Sequence, residues 1–188
     1  MRRLAVLLSA LVVCAACSEP PQKELDRAQG AIDAARAAGA DRYASSEFAS
    51  ATNTLKEAHD AVGQRDYRLA LTKALDASER GQQAARQAAD EKARARSDVE
   101  RAITTVTTSL QQLQAVLKAE GARLPAPMLA NAKREAAATQ AALQKARALL
   151  QAEQYLDARD ALAGVDERIT AENKTLTDAK GRVVRRRS

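Results

Sequence analysis

From Asp66 to Glu120 the chain runs for about 55 residues with no proline and a single glycine, Gly81. A helix unbroken over that run would be ~80 Å long at ~1.5 Å of rise per residue. Small and apolar residues recur along it in alternating steps of three and four: Leu71, Ala74, Ser78, Gly81, Ala85, Ala88, Lys92, Ala95, Val99, Ala102, Val106, Ser109, Leu113 and Val116. Such a heptad seam must be covered along its length by partner helices. The rest of the chain is arranged to supply them.

Composition limits what those partners can be. Hydrophobic residues make up 46% of the chain, but 45 of its 188 residues are alanine, with one Phe, three Tyr and no Trp. Burying an alanine methyl contributes ~0.8 kcal/mol, against ~1.5–3 for a leucine or phenylalanine. A compact globule with a thick core is therefore not expected. Alanine is also the best helix former. The fold class that follows is all-α: an elongated antiparallel helical bundle or coiled coil of about five helices, with a long shared third helix.

The punctuation supports this. Pro20 and Pro21 precede a first helix over about 23–38, with Leu25, Ala28, Ile32 and Ala35 as its stripe. Gly39 ends it in the left-handed conformation, and the short link to Ala44 returns the next helix antiparallel. Ser45 and Ser46 are candidate caps, and Phe48, Ala51, Leu55, Ala58 and Val62 mark the inward face of helix two. Gly63 to Asp66 reads as a tight turn, with Asp66 capping the long helix. Gly121 to Pro127 breaks that helix. Helix four then shows Leu129, Ala132, Ala136, Thr139, Leu143, Ala146 and Leu150. After a turn near 151–154, helix five carries Tyr155, Ala158, Leu162, Val165, Ile169, Glu172, Leu176, Ala179 and Val183, with Gly164 tolerated inside it.

A weak internal repeat links the two halves. Phe48 to Ala51 matches Leu129 to Ala132 at an offset of 81, while Leu55, Ala58, Tyr67 and Ala70 match Leu143, Ala146, Tyr155 and Ala158 at 88. The difference is one heptad, which lengthens a helix without rotating its face. Alanine-rich heptads also match one another by chance, so duplication and coincidence both stand at this point. In either case helices one and two pack on the first half of helix three, and helices four and five on its second half.

The N-terminus is an address. Met1-Arg2-Arg3 is a short positive segment, and the apolar run Leu4 to Val13 is too short to span a bilayer, which needs about 20 residues. Ala15-Ala16-Cys17-Ser18 resembles the bacterial lipobox, whose cysteine is lipidated at the cleavage point; Cys14 stands where a larger aliphatic residue is usual. The alternative is an ordinary secretory peptide cut after Ala16, which would leave Cys17 an unpaired thiol in an oxidising compartment, a disfavoured outcome. With both cysteines, Cys14 and Cys17, in this segment, no disulfide framework supports the fold. The domain reading is residues 1–16 as signal peptide, 17–22 as lipidated tether, 23–92 and 93–181 as two helical modules, and 182–188 as a basic tail. Ser18 after the cysteine resembles the outer-membrane sorting signal of enteric bacteria.

The run Ala34 to Phe48, followed by Ala51, Leu55, Ala58, Tyr67, Ala70 and Ala74, resembles a family of alanine-rich bacterial envelope lipoproteins classed as a domain of unknown function. The shared element is Gly39-Ala40-x-x-Tyr43-Ala44-x-x-Glu47-Phe48, with Ser45 replacing the family's proline. The match covers about 25–95. The resemblance implies envelope location and a helical fold, and it implies no reaction.

The residues offer little chemistry. His59 is the single histidine, without further ligands at metal spacing, and an exposed helix position explains it better. No nucleophile elbow or glycine-rich phosphate loop occurs. The expectation is a protein that is not an enzyme and takes no cofactor and no metal. Tyr43, Tyr67 and Tyr155 fall at helix ends and read as end-packing. Lys92, flanked by Arg94 and Arg96, interrupts the small-residue seam and marks a candidate hinge or partner site, or simply a solvated face. Arg182, Arg185, Arg186 and Arg187 form a candidate contact for anionic surfaces, or a solvated tail. Removing Arg2 and Arg3 reduces the formal charge from +6 to +4. Mixed charges without interleaved aromatics argue against nucleic acid. The expected role is a structural or adaptor module on the periplasmic face of the outer membrane. It would be held there by the Cys17 lipid and would engage another envelope protein or itself; no motif argues for peptidoglycan contact. The alternative is a chaperone-like carrier with apolar cargo between its helices, in a groove lined by Leu110, Leu113, Leu117, Leu143 and Leu150.

Overall fold

The computed structural model describes residues 19–185, with side chains as far as residue 179. The described residues form seven α-helices and one 3-10 turn: α1 (Gln22–Ala37), α2 (Ala40–Tyr43), α3 (Ser45–Gly63), α4 (Tyr67–Glu120), the turn Gly121–Arg123, α5 (Ala126–Gln151), α6 (Tyr155–Ala161) and α7 (Val165–Arg185). No strand occurs among them. The fold is an all-α helical bundle that divides into two compact units, one ending at Glu91 and the other beginning at Lys92.

In the first unit the stripe Leu25, Ala28, Ile32 and Ala35 is buried on α1 as its spacing demands. The helix ends where Gly39 takes φ 84°, with the Ala38 and Gly39 amides donating to the Ala34 and Arg36 carbonyls. Leu25, Ala28 and Ile32 pack with Ala51, Leu55, Ala58, Ala74 and Ala77, with Phe48 and Val62 partly buried at the margin. Ala35 packs with Ala40, Ala44, Ala84 and Ala88 at the other end. That pairing makes α3 antiparallel to both α1 and the start of α4. Ser45 and Ser46 do not cap. One turn of helix, α2, leads through a single non-helical residue, Ala44, directly into α3, so both serines already lie inside the helix and the N-cap position falls on Ala44, which has no side-chain oxygen. Asp66 does cap: its Oδ1 accepts the Leu69 amide at 2.9 Å.

The seam of α4 corrects the sequence reading at its start. Leu71 is 38% exposed, and the buried line is Ala70, Ala74, Ala77, Ser78, Gly81, Ala84 and Ala88. The cause is a close approach to α1. A Cβ placed on Gly81 would stand 3.0 Å from the Ala31 carbonyl carbon and 3.1 Å from the Ile32 nitrogen. Helix backbones this near each other admit only methyl-sized neighbours, so the leucines turn outward.

In the second unit Val106, Leu110 and Leu113 of α4 meet Ala132, Leu143 and Ala146 of α5, Leu162, and Val165, Ile169 and Leu176 of α7. The α4 positions in this core are valine and leucine, where the first unit's α4 contributes alanine. The expected unbroken fifth helix is two helices. Gly164 adopts φ 67°, the Val165 amide bonds back to the Leu162 carbonyl, and the chain bends there. Glycine makes that left-handed step inexpensive, and the bend lets Leu162, Val165 and Ile169 enter one core.

The turns before α4 and before α6 are alike. Arg65 (φ 60°) and Glu153 (φ 57°) are the two non-glycine residues with positive φ among the described residues. In the first turn Gln64, Arg65 and Asp66 donate to Asp60, Val62 and Ala61; in the second Ala152, Glu153 and Gln154 donate to Ala148, Leu150 and Leu149. Gly63, read from the sequence as the first residue of that turn, is still helical.

Candidate functional site

Lys92 is where the sequence reading placed its sharpest anomaly, and here it has a partner. The second turn projects Glu153 outward, and Lys92 Nζ lies 2.9 Å from Glu153 Oε2. The same ammonium stands 5.8 Å from the centroid of the Tyr155 ring, which is buried. Arg96, one helical turn on, bonds through Nε to Glu100 Oε1 at 2.9 Å. That hydrogen bond and the Glu100 charge raise the Arg96 pKa, with smaller contributions from Tyr155 and Glu153. Lys92, by hydrogen bond and then by charge, holds the Glu153 carboxyl below its ordinary range. Lys92 and Arg96 thus converge on the α5–α6 turn, and Arg94 is exposed beside them. Lys92 is met by Glu153 and Arg96 by Glu100, which makes a surface clamp of paired charges.

The remaining sequence-predicted positions lie elsewhere. Cys17, Arg186 and Arg187 fall outside the described residues, as do the side chains of Arg182 and Arg185 on the last turns of α7. His59 is exposed. No cluster of metal-ligating side chains occurs among the described residues.

Two grooves open on the described residues, and the second holds Leu110 and Leu143, two of the five leucines named for a cargo groove. Between α3 and α4 an open groove of about 490 Å³ is lined by Ser46, Ser50, Asn53, Glu57, Lys73, Asp76 and Arg80, among others. Lys73 Nζ sits 2.5 Å from Glu57 Oε2. Arg80 bonds Asp76 Oδ1 at 2.8 Å and Ser50 Oγ at 3.0 Å. Its cations are neutralised by their own carboxylates, so it lacks the net charge an anion site needs. The second groove, about 220 Å³, has Leu110 and Leu143 at its floor and Gln111, Gln114, Gln140, Gln144 and Arg147 around it. Arg147 is tied to Thr107 Oγ1 at 3.1 Å. The sequence signal for both was polar residues flanking the seam, which any solvated helix also shows.

Of the leucines expected to line a cargo groove, Leu110, Leu113 and Leu143 are buried at 7%, 0% and 3% exposure, and Leu117 and Leu150 are partly buried. The large hydrophobics left exposed among the described residues are Leu69, Leu71 and Leu75, all near the start of α4. No described helix is long and apolar enough to cross a membrane.

No curated protein and no solved structure matches the chain. One family does, over residues 23–100, a stretch that holds α1 to α3 and the first part of α4 through Lys92 and Arg96: Domain of unknown function (DUF4398).

Proposed function

We propose that this chain is a non-enzymatic lipoprotein of the bacterial cell envelope. In this reading the Cys17 lipid anchors it to the periplasmic face of the outer membrane, where it serves as a structural or adaptor module. The observation that carries the proposal is the allocation of its apolar side chains. Of the leucines that could have lined a cargo groove, Leu110, Leu113 and Leu143 are buried in the core of the second unit and Leu117 packs against it. The large apolar side chains that remain exposed among the described residues, Leu69, Leu71 and Leu75, lie within two turns of one helix. A carrier needs accessible apolar area, whereas an adaptor needs only a small patch on a rigid support. The lipobox-like Ala15-Ala16-Cys17 supplies the address. Two measurements test the two halves of the proposal. Radioactive fatty acid fed to cells should label the wild-type chain and not Cys17→Ser, and the label should fractionate with the outer membrane; an unlabelled mature chain refutes the anchor. Photo-cross-linking in cells from exposed positions of α4 should trap a small set of protein partners. Adducts to lipid or to many unfolded chains would replace the adaptor with a carrier.

A further inference from the structure

We infer that the exposed face at the start of α4 is a self-complementary surface that pairs with the same face of a second copy, antiparallel. Arg68, Leu71, Leu75 and Glu79 follow one another at steps of three and four, so they share one helix face, and all four are exposed. The face points away from the buried line through Ala70, Ala74, Ala77 and Gly81, and its residues take no part in the cores formed by the described residues. Its charges set the orientation. Arg68 lies three residues before the leucine pair and Glu79 four residues after it. About a two-fold axis near residue 73, Leu71 of each chain meets Leu75 of the other, and Arg68 of each falls within one residue of Glu79 of the other. A parallel pairing would instead set Arg68 against Arg68 and Glu79 against Glu79. Neither side chain has an ion-pair partner of its own among the described residues. Arg80, the basic neighbour of Glu79, is already bonded to Asp76 and Ser50. Two-fold pairing of this kind is the commonest closed symmetry, and it requires such a patch to complement itself. The contact spans only a few helical turns, which places it among small, weak interfaces.

The inference concerns folded residues alone and stands apart from the lipid anchor, so failure of one leaves the other intact. The test is sedimentation velocity of the purified full chain in mild detergent across a concentration series. Wild type should show a concentration-dependent dimer. Leu75→Lys should abolish it. Arg68→Glu and Glu79→Arg should each weaken it roughly tenfold, since both copies of the pair are reversed together. The double variant should restore it. All these positions are exposed, so circular dichroism should stay at the wild-type value. A chain that remains monomeric throughout, a dimer indifferent to Leu75→Lys, or a double variant as weak as the single ones overturns the inference. A monomer whose Leu75→Lys variant loses a cross-link to a different protein in cells assigns the face to that protein and overturns it equally.

Discussion

Alanine in place of glycine should change stability in opposite directions at two helical positions of this protein. Gly30 lies inside α1, is exposed, and a Cβ added to it meets no atom within 4 Å. Gly30→Ala should therefore stabilise the fold by the helix-propensity difference alone, ~1 kcal/mol. Gly81 lies inside α4, and the same Cβ would meet the Ala31 carbonyl carbon at 3.0 Å, the Ala31 Cβ at 3.1 Å and the Ile32 nitrogen at 3.1 Å. Two of those three atoms are backbone and cannot rotate away, so α1 must move as a body. Overpacking of that kind costs ~1–3 kcal/mol, which outweighs the ~1 kcal/mol propensity gain. The net expectation for Gly81→Ala is a loss of up to ~2 kcal/mol, and Gly81→Leu should lose more. Urea denaturation followed by circular dichroism reads both. If Gly81→Ala shifts the midpoint upward as far as Gly30→Ala does, the close approach of α1 and α4 is wrong, and with it the explanation for the exposed Leu71.

Two further predictions concern polar groups. Thr139 is fully buried on α5 and its hydroxyl has no hydrogen-bond partner among the described residues. Thr139→Val keeps the shape and removes the orphaned hydroxyl, so it should raise the unfolding midpoint, by ~1 kcal/mol of stability; Thr54→Val, which deletes a bond to the Ser50 carbonyl, should not. The second concerns pH. Lys92 lowers the Glu153 pKa in the folded chain, so on acidification the unfolded chain takes up that proton first. The contribution of the pair is complete at neutral pH and disappears as pH falls below the ordinary value of 4.5. Both groups are solvated, so the effect is small. The difference in thermal midpoint between wild type and Glu153→Gln should shrink between pH 7 and pH 3, and a constant difference would remove Glu153 from the clamp.

The helical fold was legible in the sequence because it rests on local signals. The α1 stripe, the left-handed Gly39, the Asp66 cap and the break at Gly121 each depend on residues within a turn or two of one another. What the sequence concealed depends on contacts between segments. Leu71 fits the heptad as well as Ala70 does, and only the proximity of Ala31 to Gly81 decides between them. The two serines after Ala44 look like caps until α2 uses up the residues before them. Gly164 reads as a tolerated interruption because the gain from bending, bringing Leu162 and Ile169 into one core, is tertiary. For the candidate site, Lys92 was visible as an anomaly but Glu153, 61 residues away, was not. The groove pairs Glu57–Lys73 and Ser50–Arg80 were hidden for the same reason, since they join separate helices.

The repeat, ambiguous in sequence, takes on a different weight once the turns are compared. A shared heptad accounts for matched faces: Leu55 with Leu143 and Ala58 with Ala146, all buried. It does not account for a left-handed arginine and a left-handed glutamate 88 residues apart, each inside the same set of three amide bonds and each two residues before a tyrosine. Both turns are the left-handed ending common at helix C-termini, usually supplied by glycine; here each places a non-glycine residue at the same position of the repeat. A duplicated module accounts for both. The buried positions that follow keep the same register with different volumes: Ala74 with Leu162, Ala77 with Val165, Gly81 with Ile169 and Ala88 with Leu176. Backbone contact as close as that of Gly81 with Ala31 is impossible at Ile169. The same register is therefore filled with alanine and glycine along α4 in the first unit and with leucine, valine and isoleucine from the end of α6 through α7 in the second. The close approach at Gly81 leaves the leucines at 71 and 75 on the surface. The exposed pair is thus a physical consequence of close packing in the first unit, which is the unit that carries most of the family match.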